Sequence, residues 1–97
     1  MNKYESIMII RPDKTDDEIK SLIEEIKTLI IKGNGVITQV EKLGIKKLAY
    51  EVRKCKEGYY VVLYFESNVN VISELERKYR ITEDIIKFMT VKKDDDE

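Results

Sequence analysis

Tyr59-Tyr60-Val61-Val62-Leu63-Tyr64-Phe65 is the stretch on which the fold turns. An unbroken aromatic and β-branched run suits a pleated, largely covered surface, which makes it the strongest strand in the chain. Immediately before it lies a charged turn, Arg53 to Gly58, and before that turn residues 36–52 alternate. Val36, Val40, Leu48, Tyr50 and Val52 fall on even positions, while Gln39, Glu41, Lys47 and Glu51 point away. A seventeen-residue strand is far longer than the usual five or six or so, so a bulge or bend is expected near Gly44, with the second half projecting as an arm. The two runs make a hairpin.

Moving outward, Lys3-Tyr4-Glu5-Ser6-Ile7-Met8-Ile9-Ile10-Arg11 is apolar and β-branched enough for a central strand buried on both faces, and Pro12 ends it. Its inward parity is open, because Ser6, Met8 and Ile10 or Ile7 and Ile9 could face the core. Thr15-Asp16-Asp17-Glu18 is a capping box: the threonine hydroxyl accepts from the third helical amide and Glu18 reaches back, while the acids suit the positive helix end. Ile19, Leu22, Ile23, Ile26 and Ile30 then recur at three- and four-residue steps. Lys32 and Gly33 close this helix, with the glycine expected in the left-handed cap conformation. Beyond the hairpin, Asn68 or Asn70 caps a second helix reaching about Arg80, with Ile72, Leu75 and Tyr79 inward. Ile85-Ile86-Lys87-Phe88-Met89-Thr90-Val91 supplies the last strand. The domain is expected over residues 1–92, with an acidic tail at 93–97 disordered on composition.

The order βαββαβ, with right-handed crossovers, gives an α+β domain of the ferredoxin-like kind. Its four-stranded antiparallel sheet has the order 4-1-3-2 and carries two helices on one face. The other sheet face is left for function, and residues 36–52 lie at an edge whose backbone can pair with another chain.

Composition limits what that face can do. Ninety-seven residues, 42% hydrophobic and 38% charged, suit one globular domain. No apolar run approaches the ~20 residues of a membrane span, and no signal-peptide pattern opens the chain, so a cytoplasmic protein without a membrane partner is expected. The chain has one cysteine, Cys55, which reads as an incidental hairpin residue despite Lys54 and Lys56 beside it. It has no histidine, which removes imidazole acid–base chemistry, the usual catalytic triads and ordinary zinc sites. Glycine-rich phosphate loops are missing as well, and Gly33-Asn34-Gly35 reads as a turn. The expectation is no enzyme, no cofactor, no metal and no small-molecule ligand.

Charge is uneven behind a net value of −1. Residues 42–56 hold Lys42, Lys46, Lys47, Arg53, Lys54 and Lys56 against Glu51 alone, and residues 77–93 hold Arg77, Lys78, Arg80, Lys87, Lys92 and Lys93 against Glu83 and Asp84. Contact with nucleic acid and simple lysine protection of sheet edges are both open on charge alone.

Tyr4-Glu5 with Arg11-Pro12-Asp13, Gly44-Ile45-Lys46-Lys47-Leu48-Ala49-Tyr50, Gly58-Tyr59-Tyr60 and Tyr79-Arg80-Ile81 resemble the bacterial small-subunit ribosomal protein six family. The resemblance spans residues 1 to about 92 and implies a structural, ribosome-bound role. It implies binding to the central domain of small-subunit ribosomal RNA as a heterodimer with small-subunit ribosomal protein eighteen, aiding subunit assembly. Carried over by position, it puts Lys46, Lys47, Leu48 and Tyr50 on a partner- or RNA-facing edge. It puts Tyr4, Arg80 and Lys87 near RNA, with Lys3, Lys92 and Lys93 joining them as strand-end neighbours. Relatives often have arginine in the basic pair and proline at the position of Glu51, and arginine where Lys87 stands. The lysines here retain phosphate contact but not a planar bidentate fork. Two rivals with the same topology fit less well. An RNA-recognition motif needs a small residue at Tyr60 and a second stacking ring at Val61. An acylphosphatase-like anion site needs a glycine-rich loop at Pro12-Asp13-Lys14.

Overall fold

The computed structural model describes residues 1–93, and the expected tail beyond them lies outside the described residues. Six elements follow in the expected order: β1 (Asn2–Ile10), α1 (Asp16–Lys32), β2 (Val36–Val52), β3 (Cys55–Ser67), α2 (Val69–Ile81) and β4 (Ile85–Lys93). The strands form one antiparallel sheet of order β2-β3-β1-β4, which is the expected 4-1-3-2 order counted from the other edge. β4 runs through Lys93, one residue past the boundary at 92. Charge does not prevent this, because Lys92 and Lys93 pair by backbone with Tyr4 and Lys3.

Strand parity builds the core. Tyr4, Met8 and Ile10 from β1, Val61, Leu63 and Phe65 from β3, and Ile85 from β4 meet the α1 stripe and Val71, Leu75 and Tyr79 of α2 in one cluster. Both helices therefore cover the same sheet face. All five residues of the α1 stripe are buried, each contributing roughly 1.5–3 kcal/mol of gross hydrophobic stabilisation. In α2 the inward residues are Val71, Leu75 and Tyr79, with Ile72 only half-buried. Ser6 is the one polar side chain of β1 in this interior, and its hydroxyl is 2.7 Å from the Tyr79 hydroxyl and 2.9 Å from Thr90 Oγ1. That closes the parity question: Ser6, Met8 and Ile10 face the helices, and Ile7 and Ile9 face the open side.

The Thr15 capping box forms in full, with Glu18 N–H donating to Thr15 Oγ1 at 3.2 Å and Thr15 N–H to Glu18 Oε1 at 2.9 Å. At the other end of α1 the expectation for Gly33 fails. Gly33 has φ −86°, and Asn34 takes the left-handed conformation at φ 67°. Glycine stands at 33 for space, since a Cβ there would lie 2.5 Å from Val71 Cγ2 of α2.

β2 departs most from its pattern. Its register against β3 shifts between Ile37 and Gln39, between Lys42 and Gly44, and between Lys47 and Val52. Gly44 at φ 81° accommodates the middle shift, where the bend was expected. Each shift turns the following side chains over, so Ile37 and Val40 pack on the helix-side core while Leu48 and Val52 pack on the opposite one. The expected single apolar face of β2 does not exist. The turn is also tighter than expected, with only Arg53 (φ 49°) and Lys54 (φ 65°) between the paired Val52 and Cys55. Two consecutive positive φ values are the signature of the twist-matched type I′ hairpin.

Candidate nucleic-acid and partner interface

The open sheet face has a small core of its own. Ile9, Cys55 and Ile86 are buried there, with Ile7, Leu48, Val52 and Tyr60 packed around them. Leu48 and Val52 belong to the far half of β2, so the hairpin tip lies back over the sheet instead of projecting freely. Cys55 is a wedge in this cluster, 8% exposed, and not an incidental turn residue. Ile86 reaches it because the β1–β4 register slips after Ile9, leaving Ile85 on the helix side. Gly58 lets the strands close up, since a Cβ there would sit 2.2 Å from Ile9 Cγ2. Arg53 Nη1 donates to the Ile85 carbonyl at 3.5 Å, a further tie between tip and β4.

This bent tip brings together two residues assigned to separate groups by the sequence. Lys87 Nζ lies 3.0 Å from the Tyr50 hydroxyl and 4.7 Å from the centre of its ring. Lys87 pairs with Ile9 in the sheet register and so stands on the open face. Lys46 and Lys47 are exposed, opposite Gly58 and Glu57, and neither ammonium has an ion-pair partner among the described residues. Leu48 from the same motif is half-buried and anchors the tip.

The remaining residues divide. Lys3 and Lys93 are cross-strand neighbours on the open face, and Lys93 Nζ pairs with Glu5 Oε2 at 3.2 Å. Lys92 pairs with Tyr4 in the register but is exposed at the outer strand. Arg80 is exposed on α2, on the other side of the sheet from Lys87. Tyr4 is 6% exposed, and its ring is stacked on Phe65 with centroids 5.6 Å apart. Alternation from Ser6 and Met8 turns Tyr4 to the helix side, leaving no free ring face for a base to stack on.

Sequence reasoning missed the open-face apolar strip. Ile7, Ile9, Tyr60, Lys87, Phe88 and Met89 line a shallow cleft of about 320 Å³, with Met89 57% exposed. The period-two placement of Ile7, Met89 and Val91 on the outward parity was its only signal. The Tyr64–Glu41 bond was missed as well: the hydroxyl donates to Glu41 Oε1 at 2.6 Å, and the carboxylate pushes the tyrosine up to about 12. At the loop after β1, Arg11 faces Asp13 at 3.6 Å and Lys14 faces Asp84 at 3.3 Å, so both cations there are engaged by carboxylates.

What the open face offers is charge, hydrogen-bond donors and apolar area. Among the described residues there is no cluster of histidine, cysteine, aspartate or glutamate able to hold a metal, and no helix is long and apolar enough to cross a membrane. Sheet topology and this surface together define a small ferredoxin-like domain with an open, lysine-bearing sheet face.

Comparison with known proteins narrows that class. Residues 3–92 match the family model described as ribosomal protein S6. The chain is 47% identical over 94 residues to the small ribosomal subunit protein bS6 of Helicobacter acinonychis, covering 97% of this chain and 66% of that protein. It is 42% identical over 95 residues to bS6 of Caldanaerobacter subterraneus, covering 98% of this chain and all of the relative. The crystal structure of 30S ribosomal protein S6 from Thermotoga maritima superposes with a TM-score of 0.89 at 39% identity, over 95% of this chain and 87% of that one. The chain spans slightly less than two thirds of the length of its Helicobacter relatives. It belongs to the ribosomal protein S6 family.

Proposed function

We propose that this chain is a non-catalytic structural component of the small ribosomal subunit in the bacterial cytoplasm. It binds the central domain of small-subunit ribosomal RNA together with small-subunit ribosomal protein eighteen and so aids subunit assembly. The observation that carries this reading is the family match over residues 3–92 on a chain whose hairpin presents Lys46 and Lys47 exposed and without an ion-pair partner among the described residues.

Physics favours joint binding over binding by this chain alone. A protein of net charge −1 gains little long-range attraction from a polyanion, so its local basic residues orient it on phosphate more than they capture it. Docking first to a protein partner that also touches the RNA adds phosphate contacts without adding ordering cost to this sheet. The exposed Met89 and half-buried Ile7 suit the protein partner, and Lys3, Lys46, Lys47, Lys87, Lys92, Lys93 and Arg80 suit phosphate.

The test is a titration of a central-domain RNA fragment with this chain, with protein eighteen, and with both, across a range of salt. Tight binding only by the pair, weakening steeply as salt rises, is expected. Equal RNA affinity with and without the partner would contradict the cooperative reading.

A further inference from the structure

Tyr50 and Lys87 are both exposed and thirty-seven residues apart, yet the hairpin tip sets one upon the other. We propose that Tyr50 is a positioning residue: it holds the Lys87 ammonium in place to meet an RNA phosphate and does not itself stack on a base. The inference rests on the RNA-binding reading above and assigns a mechanism within it.

Three observations carry it. First, the ammonium lies over the ring and within hydrogen-bond distance of the hydroxyl, 4.7 Å from the centroid and 3.0 Å from the oxygen. A lysine ammonium has three donors, so two stay available to an anion while the third is held. Second, the tip that carries Tyr50 is itself fixed, by Leu48 and Val52 in the open-face cluster and by Arg53 on the Ile85 carbonyl. The ring is therefore presented by a packed element and not by a free loop. Third, Lys87 has no carboxylate partner among the described residues, in contrast to Lys93, which Glu5 engages, and Lys78, which Glu25 engages at 2.7 Å. An aromatic ring orders a lysine without neutralising it, whereas a carboxylate would cancel the charge that RNA needs. A free lysine loses much of its rotamer freedom on docking, and one already aligned loses less.

The experiment measures RNA-fragment affinity against salt, in the presence of the partner protein, for wild type, Tyr50→Leu, Tyr50→Phe, Lys87→Met and the Tyr50→Leu, Lys87→Met double variant. Tyr50 is 64% exposed, and thermal melts check that each variant folds. Lys87→Met is expected to lower the salt slope by about one contact. Tyr50→Leu should weaken binding roughly two- to five-fold at an unchanged slope and have no effect once Lys87 is methionine. Tyr50→Phe, which keeps the ring, should lose less than Tyr50→Leu. Equal loss from Tyr50→Leu with and without Lys87 would mean that the tyrosine touches RNA or partner directly and would overturn the proposal. So would wild-type affinity in every tyrosine variant. If the wild-type pair does not bind the RNA at all, the functional reading fails along with it, which separates the two failures.

Discussion

Single residues make local contacts that can be tested one at a time, and Gly58, Tyr64 and Glu18 give three sharp cases. Gly58→Ala places a methyl group 2.2 Å from Ile9 Cγ2, so backbone or side chain must shift. A loss of roughly 1–3 kcal/mol is expected, read from the urea midpoint. Tyr64 is held protonated by the Glu41 carboxylate beside it, its value raised to about 12. A raised value means that the stabilisation is present below the ordinary tyrosine range near 10 and is lost as pH rises through about 12. In an ultraviolet titration Tyr64 should ionise late, and Glu41→Gln should move it down towards the ordinary tyrosine value. Ionisation of Tyr64 at an ordinary value in the unchanged protein would contradict the bond. Glu18 has the opposite sign. Its bonds to the Thr15 backbone and side chain hold it below the usual carboxylate value, so its contribution is present above the unfolded value and fades as pH falls through the folded one. Acid melts of Glu18→Gln should converge on those of the wild type.

At the scale of elements, α1 was legible to the residue because capping box and stripe agree, and each rests on local chemistry. Thr15→Ala should cost about 1 kcal/mol, measured as a lowered melting temperature. The hairpin was legible only in part. Its length, its bend at Gly44 and its return strand follow from pattern, but three register shifts cannot be counted from alternation, because each one reverses the parity on which alternation depends. The same reason hid the fate of Tyr50 and Cys55, whose contacts cross from the tip to β1 and β4. The burial of Tyr4 was hidden because the parity of β1 was open, and Met8, Ile10 and the Ser6–Tyr79–Thr90 hydroxyl group settle it only in the folded chain. Leu48→Ala tests the folded-back tip. It should cost about 1–2 kcal/mol, below the 2–5 of a fully buried leucine, and should speed amide exchange in residues 50–56 ahead of α1. Unchanged exchange at the tip would mean that Leu48 does not hold it.

For the whole molecule, two helices on one sheet face leave the other face to a bent basic hairpin, an apolar strip and a lysine-bearing outer strand. The helix-covered face holds the main core, and the open face carries the smaller Ile9, Cys55 and Ile86 cluster beside the exposed Lys46, Lys47 and Lys87. The side chains of Lys46 and Lys47 are exposed and make no ion pair among the described residues, while their backbones pair with Gly58 and Glu57. The most direct measurement is therefore assembly of the Lys46→Glu, Lys47→Glu double variant with protein eighteen on the central-domain RNA fragment, alongside its thermal melt. A cooperative melt lowered only slightly, since the carboxylate introduced by Lys47→Glu would face Glu57, with joint binding weakened tenfold or more is the predicted result, about 1.4 kcal/mol for each factor of ten. Wild-type assembly by a folded double variant would contradict the claim that this hairpin edge is where the protein docks.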